Sequence, residues 1–155
     1  LVGTVIRFEI QASGTKAANL RIRGLDDAAG DLRPAFSKVA AWFYDHERKR
    51  FSSAGFGTWT PLKRRTVARK NNAMVSSTQG RIMRRTDALY NSLTRQAARG
   101  SVRRITNDRI ELGTKLPYAR EHQRPTGGRK LIALRDSDRR AVRTIIVDHI
   151  TGAIS

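Results

Sequence analysis

Leu32-Arg33-Pro34-Ala35-Phe36-Ser37-Lys38-Val39-Ala40-Ala41-Trp42-Phe43, continuing to Phe51, is the stretch on which the fold turns. Its apolar positions Leu32, Phe36, Val39, Ala40 and Phe43, with Phe51 two turns on, recur at the 3.6-residue period of one helical face. Asp31 stands where an N-cap belongs, and Pro34 is tolerated in a first turn, where no intrahelical N–H bond is lost. The spacing predicts a helix over 32–52 that buries this stripe. Near the other end, Ala141, Val142, Ile145, Ile146, His149 and Ile150 share a second helical face behind Asp136, which reads as its cap.

Working outward, residues 2–10 and 19–23 have the β-branched composition of short strands. Two more, Val102 to Thr106 and Arg109 to Thr114, flank Asn107-Asp108, a pair suited to a hairpin turn. Thr60-Pro61 reads as an N-cap followed by proline at the first helical position, so a helix is expected over 61–70. Thr86 is expected to cap a helix carrying Leu89, Tyr90 and Leu93. Pro117 to Gln123 fits a single helical turn, and Lys130 to Leu134 fits a strand. Residues 52–57 and 125–128 are loops by composition. The run 71–80 is polar and without period, and is expected to form a mobile loop or arm that orders against a neighbouring subunit. The fold class is therefore α+β: a small antiparallel sheet packed with a long helix in the N-terminal half and a C-terminal helix, as one domain over 1–155.

Charge narrows the function. Among 155 residues, 31 Lys+Arg against 13 Asp+Glu leave a net charge of +18, so polyanions or acidic protein faces are the expected surroundings. With no cysteine, disulfides, thiolate nucleophiles and zinc fingers are excluded. No window approaches the ~20 apolar residues of a membrane span, and the start Leu1-Val2-Gly3-Thr4 lacks the charged-then-apolar order of a secretion leader. A soluble protein of a reducing compartment is the expectation. His46, His122 and His149 have no metal-ligand spacing. Gly113-Thr114-Lys115 lacks the upstream glycine of a phosphate loop. Asp136 and Asp138 are explained by capping and the helix dipole. With no nucleophile-elbow motif either, no catalytic residue, no metal and no cofactor is expected, and the chain reads as a non-enzyme.

Between Glu47 and Asp87 there is no acid but eleven basic residues. So one-sided a run repels itself unless phosphate, acidic partners or solvent relieve it. Its members Lys63, Arg64, Arg65, Arg69, Lys70, Arg81, Arg84 and Arg85 are the candidate partner-contact residues, facing either DNA or acidic subunits. No helix-turn-helix, zinc module or RNA-binding motif accompanies them.

From Phe51 onward the order of signals has a counterpart. Trp59-Thr60-Pro61-Leu62 is followed by Gly80-Arg81-Ile82-Met83, then Arg85-Thr86-Asp87-Ala88-Leu89. After these come Ile110-Glu111-Leu112-Gly113-Thr114 and Pro117-Tyr118-Ala119-Arg120-Glu121-His122-Gln123. Over about residues 32–150 this resembles the tailed-phage virion morphogenesis family of tail-completion and neck proteins. The chain departs from the family at Thr86-Asp87-Ala88-Leu89 and over Gly128 to Leu134. The resemblance implies a virion protein of the neck or tail, assembled in the host cytoplasm as a homo-oligomeric, commonly hexameric, ring. Such a ring ends the tail tube, meets the tail tube protein and head–tail connector proteins, and leaves a lumen through which genomic DNA passes. Alternatives are a head-side connector or head-closure subunit and, from a different class, a small non-specific nucleic-acid-binding protein. The motif residues carry plain structural expectations. Trp59, Pro61 and Leu62 anchor a loop on the first helix, and Gly113 permits a bend at a strand end. Tyr118, His122 and Gln123, at one-turn spacing, satisfy buried backbone groups.

Overall fold

A computed structural model describes residues 4–9, 31–72, 81–124 and 129–152. In chain order it contains β1 (Thr4–Glu9), α1 (Arg33–Ser52), α2 (Arg64–Asn72), α3 (Ala88–Thr94), β2 (Ser101–Ile105), β3 (Arg109–Thr114), α4 (Ala119–His122) and α5 (Asp136–Gly152). The strands form one sheet in the order β1-β3-β2, with β2 and β3 joined as a hairpin by residues 106–108. The α+β class expected from the sequence is the class observed. The expected strand at 19–23 and the polar run from residue 73 to 80 lie outside the described residues, while Asn71 and Asn72 close α2. Among the described residues no helix is long and apolar enough to cross a membrane.

The chain divides into two compact units, one of residues 6–42, 103–112 and 134–155, the other of residues 1–5, 43–102 and 113–133. In the first, the Leu32 carbonyl is the first to accept a helical N–H, from Phe36 at 2.8 Å, so Leu32 rather than Asp31 takes the cap position of α1. The Asp31 carboxylate accepts the Arg33 backbone N–H at 3.1 Å and is gripped by the Arg33 guanidinium at 2.7 Å through both oxygens. Those side-chain bonds, more than the backbone one, pull the Asp31 pKa down to about 2. The Leu32 N–H donates to the Asn107 carbonyl at 2.9 Å, tying the helix start to the hairpin turn. Leu32, Ala35, Phe36, Val39 and Ala40 are buried along α1, with Ile110 and Leu112 from β3 and Val142 from α5 completing this core.

The cap of α5 differs from expectation. Asp136 lies exposed inside the first turn. The Arg135 carbonyl accepts the N–H groups of Asp138 and Arg139, each at 3.0 Å, which makes Arg135 the capping residue. Asp138 turns back to accept the Arg135 N–H at 2.9 Å and also pairs with its guanidinium. This is one half of a capping box, with aspartate in the usual Glu/Gln place, since an arginine side chain has no acceptor to return to the Asp138 N–H.

In the second unit α1 continues through Phe43, Tyr44, His46, Glu47, Arg50 and Phe51, all buried. It stops in a left-handed turn. Ala54, Gly55, Phe56 and Gly57 take φ of 50°, 71°, 56° and 81°. The Gly55 N–H closes onto the Arg50 carbonyl at 2.8 Å, and the Trp59 N–H onto that of Ala54 at 3.0 Å. This lays the Trp59 indole against the Gly55 backbone and edge-on to Phe51, with ring centres 5.2 Å apart. A Cβ at Gly55 would sit 2.4 Å from Trp59 Cδ1, whereas one at Gly57 meets nothing within 4 Å. Gly55→Ala combines an unfavourable φ with overpacking and should cost about 2–3 kcal/mol. Gly57→Ala has only the backbone cost of about 1 kcal/mol. Urea unfolding of the two variants side by side checks the difference, and equal losses would mean that the indole is not seated on Gly55.

Two further helix starts are moved from their expected places. α2 begins at Arg64 rather than at Pro61, because the Lys63 carbonyl is the first to accept helical N–H groups, from Thr66 and Val67. α3 begins after Asp87, not Thr86. Asp87 takes φ 57° without a side-chain cap, its carboxylate being held instead by Arg84.

Candidate functional site

The second unit contains a segment that the sequence reads as a strand and the structure does not. Leu131 and Ile132 are buried, yet their backbone pairs with side chains rather than with another strand. Gln123 Oε1 accepts the N–H groups of Leu131 at 2.9 Å and Ile132 at 3.2 Å, while Gln123 Nε2 donates to the Ile132 carbonyl. Trp59 Nε1 donates to the Lys130 carbonyl at 3.1 Å. The Arg50 guanidinium donates to the Ala133 carbonyl. Buried backbone groups must find partners, and here three long side chains supply them, so no ladder forms over 130–134. Of the motif residues, Trp59 and Gln123 thus secure backbone, as expected for Gln123.

Three of the remaining motif residues, Leu62, Tyr118 and His122, line an open groove of about 510 Å³ in the same unit. Its floor is apolar: Leu62 from the approach to α2, Met83, and buried Leu89 from α3. Tyr118 stands at its edge, 45% exposed, one residue before α4. His122, on α4, forms part of the wall, and Arg85 and Arg129 supply positive charge. Arg129 is pre-positioned, its Nε donating to the Thr60 carbonyl at 2.9 Å. Across Tyr118 lies a second hollow of about 700 Å³ lined by Arg95, Arg99 and Leu116 among others.

Burial holds the His122 imidazole below its ordinary value; the positive charge of Arg129 adds to this and Glu121 opposes it. Burial also raises the Tyr118 phenol. At neutral pH the groove therefore presents a neutral imidazole and a neutral phenol beside two guanidiniums. Because the folded His122 pKa is lowered, the unfolded chain binds the proton more tightly. The stabilisation from the neutral ring is present above about pH 6.5 and is lost as pH falls through that value toward the folded one. In an NMR titration the His122 midpoint should fall below that of a free imidazole and rise in Arg129→Gln. An unchanged midpoint in the variant would mean that the guanidinium does not face the ring.

The basic candidates separate into three groups. Lys63, Arg64, Arg65 and Arg69 are exposed at and along α2, and the side chain of Lys70 lies outside the described residues. Arg85 joins the groove. Arg81 and Arg84 line a different hollow with Arg48 and Tyr90. Arg84 is committed internally, bonded twice to Asp87 at 2.7 and 2.8 Å and lying 4.0 Å over the Tyr90 ring. Arg50, counted in the acid-free run, is 3% exposed and belongs to the core. Pro61 is exposed ahead of α2, and Gly113 is a buried, extended residue inside β3 rather than a bend after it.

Sequence reasoning missed Arg129 and Met83 as groove residues; Met83 closes the motif Gly80-Arg81-Ile82-Met83, while no local pattern marks Arg129. It also missed the Glu47–Arg50 pair, for which a signal exists: both fall on the stripe of Phe36, Phe43 and Phe51. Among the described residues no group of three or more His, Asp or Glu gathers where a metal could bind. No protein-family model, curated protein or solved structure matches this chain.

Proposed function

We propose that this chain is a structural assembly protein of a tailed-phage particle, a ring subunit at the tail end or head–tail junction that ends the tail tube and accepts the head. One observation carries the reading. The residues through which the sequence resembles the tail-completion family divide between holding a framework and lining an open groove in one unit. Trp59 and Gln123 secure the segment after Arg129, while Leu62, Tyr118 and His122 form the groove itself. Such an arrangement suits docking of a protein partner. Apolar surface supplies adhesion and peripheral charge supplies orientation and partner choice.

The exposed row Lys63, Arg64, Arg65 and Arg69 is the second element of this reading, meeting acidic residues on the tail tube, the connector or the next subunit. Arg64→Glu with Arg65→Glu should stop heads and tails from joining while leaving the melting temperature of the isolated protein unchanged. Native mass measurement, alone and with tail tubes at two salt concentrations, tests the ring directly; a monomer under every condition removes the reading. The net charge of +18 favours a second reading, non-specific nucleic-acid binding. There six phosphate contacts would give a log–log salt slope of roughly −5, and tight duplex binding with that slope would put it first.

A further inference from the structure

We infer that the groove between α3 and α4 is a docking site for a short acidic peptide segment of another protein. An aliphatic or aromatic side chain of that segment sits on Leu62, Leu89 and Tyr118, and its carboxylates are met by Arg85 and Arg129. The inference deepens the assembly reading and rests on it for the identity of the partner as a virion component.

Volume and lining come first. At about 510 Å³ the groove is large enough for a few side chains, within the roughly 300–1,000 Å³ of ordinary ligand sites. A Tyr118 ring left 45% exposed beside a buried Leu89 is an amphipathic surface of the kind that fills interface cores.

Charge comes next. Among the described residues neither Arg85 nor Arg129 pairs with a carboxylate, although other arginines do. Arg129 is held by a neutral carbonyl through Nε alone, and a guanidinium so fixed offers its remaining N–H groups to a carboxylate with little further ordering. The carboxylate in the lining, Asp87, is held by Arg84, so with His122 neutral the charges of Arg85 and Arg129 set the sign of the site.

A second copy of this chain is a poor source. Seven of its 13 acids are already paired with its own bases: Asp31, Asp45, Glu47, Asp87, Glu111, Glu121 and Asp138. Each copy also carries +18. Nucleic acid is disfavoured because the floor is largely aliphatic, and phosphate gains nothing from Leu62, Met83 and Leu89.

The test uses the full-length protein and a fluorescein-labelled eight-residue peptide of alternating Glu and Leu/Phe, followed by anisotropy. The probe should bind, and the analogue with every Glu replaced by Gln should bind at least about tenfold more weakly. Arg129→Gln, Arg85→Gln and Tyr118→Ala should each weaken binding several-fold. The last two alter exposed side chains and so report on the site even where Arg129→Gln disturbs the fold. Arg143→Gln removes an equal charge from exposed α5 and should leave affinity within twofold. Equal binding of both peptides, or an equal loss from Arg143→Gln, overturns the inference. So does a single-stranded oligonucleotide that displaces the peptide and shares its dependence on Tyr118, which would make the groove a nucleic-acid site. Peptide binding is read on the isolated protein. Rings without peptide binding therefore sink the groove inference alone, and peptide binding without rings upholds it while sinking the assembly reading.

Discussion

Arg50→Met should destabilise its unit by about 3–5 kcal/mol, the range for breaking a buried ion pair from one side. Arg50 is 3% exposed and Glu47 1% exposed, and their charged groups lie 3.4 Å apart. The same guanidinium approaches His46 Nε2 at 3.3 Å, donates to the Ala133 carbonyl, and lies 5.2 Å from the centre of the Phe56 ring. Methionine matches much of the volume but takes the Arg50 charge away from the buried Glu47 carboxylate and the Arg50 donor away from the Ala133 carbonyl. The double variant Arg50→Met with Glu47→Leu removes both charges and should recover a large part of the loss. Urea unfolding of both single variants and the double closes the cycle. A single-variant loss under about 1 kcal/mol would mean that the pair is not desolvated as described.

Phe36→Ala should cost about 3–5 kcal/mol, through lost apolar transfer and the cavity left behind. Its side chain is wholly buried among Leu32, Val39 and Ala40 of α1 and the other apolar groups of its unit. Against a typical total of about 5–15 kcal/mol, that is enough to unfold a marginal domain. Phe43→Ala, also wholly buried, should cost a similar amount in the other unit. Near wild-type melting of either variant would overturn the core assignment. The pair also reads cooperativity. If one transition moves in both variants, the two units unfold together; if each variant moves a different transition, they unfold apart.

What the sequence discloses follows from where each element finds its partners. α1 was legible because its signals are local: the period of Phe36, Val39, Ala40 and Phe43, and the Asp31 carboxylate that accepts the Arg33 N–H. The hairpin was legible for the same reason, Asn107-Asp108 marking its turn. Starts of helices were less so. Thr60, Thr86 and Asp136 each have capping chemistry, but Lys63, Asp87 and Arg135 precede the first helical residues. Segment 130–134 was illegible in principle. Its apolar run has strand composition, while the groups that replace a ladder come from Gln123, Trp59 and Arg50, up to 83 residues away. The groove itself was not legible, since Leu62 was read as a loop anchor and Tyr118 and His122 as partners for buried backbone groups. Motif order pointed to Leu62, Tyr118 and His122, but Arg129 enters through a bond to Thr60 that no local pattern encodes.

Side-chain closure of 130–133 has a consequence for behaviour in concentrated solution. An apolar run such as Leu131-Ile132 with open amides and carbonyls is a template on which a foreign chain can pair and seed aggregates. Here five of its backbone groups are occupied: Lys130 O, Leu131 N, Ile132 N, Ile132 O and Ala133 O. A stranger would have to displace an indole, a carboxamide and a guanidinium before it could pair. The segment is thereby insulated against sticking to other molecules, a protection that edge strands ordinarily obtain from lysine, proline or a bulge.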